Sequence, residues 1–287
     1  MKKSRGQWIL SVPSLAWLLA LFLIPCLLVF AVSFRPSGPY GGIGEGWTLE
    51  TWRSLTNPSY PAIIWRTLWL SAATTVLCIA FGLPVAYAMA RMSPAWRNRM
   101  LLLIILPFWT NFLIRIFAWR TLLHPDGLIK QVLVQLGLAD PNAQLLYNSW
   151  AILLVLVYSY LPFSILPLYA AAEKFDFNLL DAARDLGASR LRAFFSVFVP
   201  GVSAGLLTTF LIVFIPVLGS YAIPDIVGGP SSEMIGNKIA QRVFNDRNLP
   251  HASALSAVLA LIVLTPLLAG LVLRRWRGNA TGGGRAA

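Results

Sequence analysis

The sequence has little charge, little cysteine and little histidine. Only 12% of its 287 residues are charged, while 57% are hydrophobic, whereas an ordinary globular domain carries about 25% charged residues. Because so little charge is available to cover a surface, the composition excludes an ordinary soluble protein. The two cysteines and two histidines lie too far apart in sequence for a disulfide framework or a metal site, and we expect neither.

Nucleic-acid binding is also excluded, although the chain carries 23 basic and 11 acidic residues. A domain that binds nucleic acid gathers its basic residues on one soluble face. Here the charges are separated by long apolar runs. The expected surroundings are therefore a lipid bilayer.

Motifs for enzymatic chemistry are missing as well. The sequence contains no G-x-x-x-x-G-K-[ST] phosphate loop, so we expect this chain neither to bind nor to hydrolyse ATP. The glycine cluster at residues 41–46 lacks the dinucleotide fingerprint. No grouping of serine, histidine, cysteine and acidic residues predicts a catalytic site. We therefore expect no enzyme, no cofactor and no metal-binding residue in this polypeptide.

Long apolar segments dominate what is present. A bilayer core of about 30 Å needs roughly 20 apolar residues in a helix. The third segment contains Arg115, for which we expect a structural role, bonded to carbonyls or to an outer-loop acid. We predict an all-α integral membrane protein with six transmembrane helices, at approximately residues 9–34, 67–90, 100–119, 149–172, 199–222 and 251–273.

The distribution of basic residues predicts the orientation. Short cytoplasmic loops carry an excess of lysine and arginine. With both termini inside, the inner segments hold more than half of the 23 basic residues, including Lys2, Lys3 and Arg285. We therefore predict that the N- and C-termini are cytoplasmic, and that the first segment is a retained anchor.

The inner loop between the fourth and fifth spans, residues 173–198, is not composed like a linker. Asn178 is the predicted N-cap of a helix with Asp181 in its first turn, and Gly187 suits the left-handed conformation that ends it. Ser189 predicts the start of a second helix. The apolar side chains of so short a loop favour docking into a groove on a cytoplasmic partner. The alternative is an amphipathic helix on the inner leaflet, which the acidic residues of the loop oppose.

The same loop carries a pattern known from one transporter family. Asp181-Ala182-Ala183 is followed after three residues by Gly187, and nine residues later by Val197-Phe198-Val199-Pro200. This resembles the Glu-Ala-Ala, glycine, Ile-x-Leu-Pro signature of the permease subunits of binding-protein-dependent ABC importers, with every spacing kept. The exchanges of Asp for Glu and of Val for Ile and Leu retain charge or shape.

The resemblance implies a fold and an assembly. The fold is that of a type I ABC importer permease (MetI-like), with residues 1–287 as a single transmembrane domain in the bacterial cytoplasmic (inner) membrane. The implied partners are a cytoplasmic ATPase dimer, which binds the ATP, a second homologous permease subunit and an external, periplasmic substrate-binding protein. The residues implied to couple this chain to the ATPase are Asp181, Ala182, Ala183, Arg184, Asp185, Gly187 and Ala188.

A second resemblance concerns the cargo. Leu106-Pro107-Phe108-Trp109-Thr110-Asn111, Pro167-Leu168-Tyr169 and Ile223-Pro224-Asp225 are similar to segments of spermidine/putrescine importer permeases. The resemblance implies that the chain imports polyamines. The loop signature itself does not separate this cargo from an anion, a metal chelate or a sugar.

A pathway for polyamines needs carboxylates and aromatic faces, because each aromatic face attracts a cation by about 0.5–2 kcal/mol. Asp225 follows Tyr221 by four residues, which predicts that both lie on one helix face. We hypothesise that both line the translocation cavity, with Trp109, Asn111 and Tyr169 as further candidates. The alternative is that Asp225 only caps the outer loop.

Two other classes of membrane protein predict features that the sequence does not have. A self-sufficient secondary transporter predicts inverted repeats and charged pairs inside the membrane, and a membrane enzyme needs paired catalytic groups. The sequence therefore favours a permease subunit that moves its substrate with ATP hydrolysis carried out by partner subunits.

Overall fold

All regular structure in the described part of the chain is helical. The computed structural model describes residues 5–282, and strand-type pairing within them is confined to two isolated bridges, Ser37 with Ile43 and Pro39 with Gly41. A helix satisfies its own backbone hydrogen bonds, which is the condition that a bilayer core imposes. The predicted all-α class is confirmed.

The first half of the chain contains both long and short helices. They are α1 (Arg5–Leu18), α2 (Ile24–Val32), α3 (Glu50–Ser54), α4 (Ser59–Ala90), α5 (Pro94–Ile105), α6 (Phe112–Leu123) and α7 (Leu128–Gln135). A π-helical turn, Leu19–Leu23, joins α1 to α2.

The second half has the same character. Its helices are α8 (Ser149–Glu173), α9 (Asn178–Asp185), α10 (Arg190–Ala193), α11 (Val199–Gly201), α12 (Ser203–Leu218), α13 (Ala222–Val227), α14 (Ile235–Phe244) and α15 (Leu249–Gly282). A second π-helical turn, Phe194–Phe198, joins α10 to α11.

Four helices within the described residues are long and apolar enough to cross a bilayer, namely Ser11–Val32, Ser59–Ala90, Ser149–Glu173 and Leu249–Pro266. Two bent pairs are further candidates: Pro94–Trp109 with Phe112–Gln135, at 88°, and Arg190–Gly201 with Ser203–Leu218, at 71°. The structure therefore offers four spans, or up to six if each bent pair is one span.

The predicted third span, residues 100–119, is not one straight helix. α5 passes into a 3-10 turn that contains Pro107, and Thr110 then adopts an extended conformation. Asn111 begins α6 by accepting a hydrogen bond from the backbone N–H two residues later, at 2.8 Å. Proline lacks a backbone donor and asparagine is a strong N-cap. The sharp bend therefore lies where these two local signals meet.

The fifth predicted span, residues 199–222, also differs from the structure. Its helix begins earlier, at Arg190, is interrupted at Val202, and ends at Leu218. Tyr221 lies at the start of the separate short helix α13. The apolar composition predicts a span here, but composition alone gives no signal for the interruption at Val202 or for the end of the helix at Leu218.

Residues Ala62–Asn237 form one compact unit. Within it α8 packs along α12 and also contacts α13. The buried side chains form two hydrophobic clusters, one that includes Ile152 and Ile223 and another that includes Leu180 and Phe198. The unit therefore has one cluster near the start of α8 and one near its end.

Small residues allow the long helices of this unit to approach closely. A Cβ added at Gly205 would lie 2.5 Å from the Cβ of Ala171, and a Cβ at Gly82 would overlap the hydroxyl of Ser164. The Ser164 hydroxyl donates a hydrogen bond to the carbonyl of Cys78 at 2.6 Å. Close backbone approach through small residues is a general mode of helix association in membranes.

The other compact unit contains the chain up to Pro61 and from Lys238 onward. In it α15 packs against α2 and α3. Arg242 donates hydrogen bonds to the hydroxyl of Tyr60 at 2.9 Å and to the carboxylate of Asp246 at 2.7 Å. Burial opposes the charge of Arg242, but these two bonds outweigh the effect of burial and raise the pKa of Arg242.

Of the residues that contribute to the predicted orientation, three lie outside the described range: Lys2, Lys3 and Arg285.

Candidate functional site

The 173–198 loop contains the two predicted helices with a corner between them. Gly187 has φ +88°, in the left-handed region, and directly follows Leu186, the C-cap of α9. The hydroxyl of Ser189 accepts a hydrogen bond from the N–H of Arg192 at 3.3 Å, which caps α10. The sequence signals for the corner and for the second helix are therefore confirmed.

The predicted cap of α9 is wrong. Asn178 is already the first helical residue, and Phe177 is the N-cap, without a side-chain cap hydrogen bond. The Asp176 carboxylate accepts the hydrogen bond from the N–H of Asn178 instead, at 3.0 Å. Asp181 pairs with Arg184, at 3.4 Å, on the outside of the helix. The helix therefore starts one residue earlier than predicted, and the Asp176 carboxylate binds its first N–H from outside the helix.

One face of this loop is buried and the other presents leucines. Leu180 is 5% exposed, whereas Leu186 is 90% and Leu191 72% exposed. The resemblance implies seven residues that couple the chain to the ATPase. Two of them are half-buried, Ala183 and Ala188. The other five are exposed: Asp181, Ala182, Arg184, Asp185 and Gly187. The loop therefore offers an apolar surface with charges around it.

A cluster of five aromatic rings holds the buried face, and we call it the aromatic cluster. It consists of Tyr87, Phe175, Phe177, Phe194 and Phe198. The ring of Phe198 is fully buried, and its centroid lies 4.9 Å from that of Tyr87, 5.2 Å from Phe175 and 5.3 Å from Phe194. Such ring pairs contribute about 0.5–1.5 kcal/mol each beyond their burial. Tyr87 belongs to α4, and the other four rings belong to the 173–198 loop. The cluster therefore joins the end of α4 to the loop.

Sequence reasoning did not identify three members of the aromatic cluster, Tyr87, Phe175 and Phe177. The only local signal for Phe175 and Phe177 is that they flank Asp176, whose carboxylate accepts the hydrogen bond from the first N–H of α9. Tyr87 is about 90 residues earlier in the chain, so its contact with Phe177, at 5.9 Å between centroids, depends on tertiary structure.

At the other end of α8, Tyr221 and Asp225 are brought together. The N–H of Asp225 donates to the carbonyl of Tyr221 at 3.0 Å, and both side chains are exposed. α13 is held there by Val227, whose carbonyl accepts from the N–H of Tyr147 at 3.0 Å, and by Gly228, which faces Ile152. The predicted pair therefore presents a carboxylate and an aromatic ring next to the first turns of α8.

Trp109 and Asn111 lie at the bend between α5 and α6. Trp109 is 75% exposed, and the side chain of Asn111 caps α6. The preceding ring, Phe108, lies 4.8 Å from Phe163, which places this bend beside the middle of α8. The Asn111 side chain therefore has a structural role here, while the indole of Trp109 is open.

Tyr169 lies apart from the other candidates. It is 8% exposed and belongs to the hydrophobic cluster of Leu180 and Phe198. At 1.5 Å per residue it is roughly 25 Å along α8 from Ile152, the residue that faces α13. Its ring is used in packing beside the loop, so it is not grouped with Tyr221 and Asp225.

Arg115 makes different contacts from those expected. Its guanidinium lies over the rings of Phe108, at 5.4 Å, and of Phe112, at 5.8 Å. Its Nε is buried without a hydrogen-bond partner. Cation–π contact therefore replaces the predicted bonds to carbonyls or to an acid.

Among the described residues, no three histidine, cysteine or acidic side chains lie close enough together to hold a metal ion.

The sequence matches a known family over residues 79–278, more than two thirds of the chain. That family is described as binding-protein-dependent transport system inner membrane component. The chain belongs to this family. It is accordingly a component of the inner membrane, in agreement with the prediction.

Two curated relatives of this chain have the same name as each other. The spermidine/putrescine transport system permease protein PotB of Haemophilus influenzae is 38% identical over 264 residues, which cover 92% of this chain and 91% of the relative. PotB of Escherichia coli strain K12 is 33% identical over 263 residues, covering 92% and 94%.

Solved structures of low sequence identity have the same fold. A bacterial ABC transporter involved in the import of the acidic polysaccharide alginate superposes with a TM-score of 0.67, at 18% identity, over 94% of this chain and 96% of that one. The bacterial alginate ABC transporter in complex with an alginate pentasaccharide-bound periplasmic protein gives 0.66 at 17% identity, over 94% of each chain. The predicted MetI-like permease fold is confirmed.

Proposed function

We propose that this chain is the transmembrane permease subunit of an ABC importer that moves polyamines, putrescine or spermidine, into the cytoplasm. The observation that carries the proposal is the 38% identity, over 92% of the chain, to a permease named for spermidine and putrescine. The exposed carboxylate of Asp225 beside Tyr221 supports it, because both groups attract ammonium cations.

ATP hydrolysis belongs to separate subunits in this proposal. A cytoplasmic ATPase dimer receives the exposed leucines of the 173–198 loop, a second homologous permease completes the pore, and a periplasmic binding protein delivers the substrate. The presence of a periplasmic protein bound to the alginate transporter supports an external partner for a chain with this fold.

The aromatic cluster supplies the mechanical connection. Closing of the ATPase dimer displaces α9, and Phe198 transmits the displacement to α4 and to the segment that follows α8, because its ring contacts Tyr87 and Phe175. Close-packed side chains transmit strain rather than absorb it. When the cavity opens to the periplasm or to the cytoplasm, the spans change direction at the bends after Trp109 and at Val202.

The substrate pathway starts at Asp225 and Tyr221 and continues past Trp109. An ionised aspartate at the bilayer centre costs about 2.5–3.5 kcal/mol on insertion scales, which favours a position facing a water-filled cavity. Weak binding at several aromatic faces suits transport, since release is required as well as capture.

Transport of radiolabelled putrescine by the assembled complex in proteoliposomes tests the proposal. We expect uptake that requires ATP and the partner subunits, and that is inhibited by unlabelled spermidine. Inhibition by an anion or a sugar, without inhibition by spermidine, would assign a different cargo. Uptake by this chain alone would identify a secondary transporter.

The orientation is tested separately at Leu186, which is 90% exposed. With Cys26 and Cys78 replaced by serine and alanine, L186C provides a single thiol in the loop. We expect a membrane-impermeant maleimide to label it in inside-out vesicles and not in intact spheroplasts. Labelling of spheroplasts would place the loop outside and contradict the proposed coupling.

A further inference from the structure

A pocket of about 440 Å³ lies between the end of α4 and the 173–198 loop. Its walls include Tyr87 and Arg91 from the α4 end, the N-cap Phe177 with Asp181 and Arg184 of α9, and Arg190 from α10. This volume is within the range of ligand-binding pockets. The pocket is thus built from two segments about 90 residues apart in the sequence.

The charge in this pocket is positive and only partly neutralised. Arg184 is paired with Asp181, at 3.4 Å. Arg91 and Arg190 form no ion pair with any residue that the structure describes. Two guanidinium groups therefore line one cavity without an ion-pair partner, and the carboxylate that also lines it, Asp181, is paired with Arg184.

The position of Arg91 is set by its neighbours. Its Nη1 donates to the hydroxyl of Tyr87 at 2.7 Å, and its guanidinium lies 5.6 Å from the ring of Tyr87 and 5.7 Å from that of Phe177. These contacts occupy one nitrogen and place two aromatic rings beside the group. The remaining donors are available to a ligand in the pocket.

The pocket lies at the end of the long apolar helix α4. Arg91 directly follows α4, whose 32 residues extend about 48 Å, well beyond a hydrocarbon core of about 30 Å. Tyr87 is one turn earlier, and tyrosine is enriched at the membrane–water interface. Arg97, which bonds Glu173 at the end of α8 at 3.0 Å, belongs to the same end of the unit.

We propose that this pocket binds the phosphate group of an anionic phospholipid headgroup, with Arg91 and Arg190 as its ligands. Guanidinium groups bind phosphate through paired, charge-assisted hydrogen bonds, and basic pockets beside membrane helices suit anionic headgroups. A bound phosphate links the end of α4 to the second helix of the loop. The lipid therefore stabilises the loop against the span that it contacts.

The test measures lipid retention by the full chain, purified in a neutral detergent, with native mass spectrometry. We expect the wild-type chain to retain one phosphatidylglycerol and no phosphatidylcholine. R91Q/R190Q should bind phosphatidylglycerol at least about tenfold more weakly than the wild-type chain, because both side chains that hold the phosphate lose their charge. R99Q is the matched control, since Arg99 lies over Trp96 at 5.0 Å and does not line the pocket.

Further outcomes separate lipid from a soluble anion and binding from misfolding. Millimolar inorganic phosphate should not displace the lipid; displacement, with phosphate bound in its place, would overturn the lipid assignment. R91K/R190K keeps the charge and should retain most of the binding, which R91Q/R190Q loses. Equal retention by R91Q/R190Q and wild type, or equal loss in R99Q, would overturn the proposal.

Discussion

Replacing Phe198 with alanine should destabilise the chain more than any other single change in the 173–198 loop. The ring is fully buried and has three aromatic neighbours with centroids within 5.3 Å. Truncating a buried phenylalanine costs about 3–5 kcal/mol. At about 2–4 °C per kcal/mol for a chain of this size, Tm should fall by roughly 6–20 °C.

Phe195 is the matched control for this change. It lies three residues earlier in the same π-helical turn, but it is 65% exposed, and its ring contact is with Phe194 at 5.2 Å. Phe195→Ala should therefore cost about 1 kcal/mol or less. Thermal unfolding of both variants in the same detergent, followed by tryptophan fluorescence, measures the difference.

The same pair of variants tests transmission through the aromatic cluster. Well below its Tm, Phe198→Ala should reduce substrate-stimulated ATP hydrolysis by the assembled complex, because the ring that joins the loop to α4 is missing. Phe195→Ala measures any effect of removing an exposed ring from the same turn. Equal falls in Tm for the two variants would refute the argument from burial.

Three further changes test packing, the substrate pathway and capping. Gly205→Ala should cost about 1–3 kcal/mol, because the new Cβ would lie 2.5 Å from that of Ala171, while Gly219→Ala, whose Cβ has nothing nearer than 3.9 Å, should leave Tm within about 1 °C. Asp225→Asn should raise the KM for putrescine uptake at unchanged Tm, and an unchanged KM would remove this residue from the pathway. Asn148→Ala should cost about 1 kcal/mol, since its side chain accepts a hydrogen bond at 2.9 Å in the first turn of α8, and a thermal melt that does not move would contradict that cap.

Local signals in the sequence were enough for the elements of the loop but not for every atom in it. Gly187 predicted the corner because few other residues adopt a positive φ at low cost, and Ser189 predicted the second helix because its hydroxyl reaches a nearby N–H. Asn178 predicts the N-cap of α9, whereas the N-cap is Phe177 and the Asp176 carboxylate accepts the hydrogen bond from the first N–H of the helix. Phe177 has no side-chain oxygen, so the residue preference for N-caps does not select it.

The substrate candidates divide in the same way. Tyr221 and Asp225 are four residues apart, and the backbone alone brings them together. Tyr169 is a further aromatic candidate for the same pathway, yet the fold places it at the far end of α8 with its ring buried. A distance of roughly 25 Å along one helix is not visible in a pattern of residue types.

The sequence alone determined the class of this protein, through apolar segments of sufficient length, sparse charge and a helix–glycine–helix loop. A segment of about 20 apolar residues matches the thickness of the bilayer core, and as a helix it satisfies its own backbone hydrogen bonds there. Only the tertiary structure decided the 88° bend, the aromatic cluster and the pocket between Arg91 and Arg190. These features depend on side chains that are up to about a hundred residues apart in the chain. Whether such side chains meet is settled by the packing of whole helices, which no local pattern specifies.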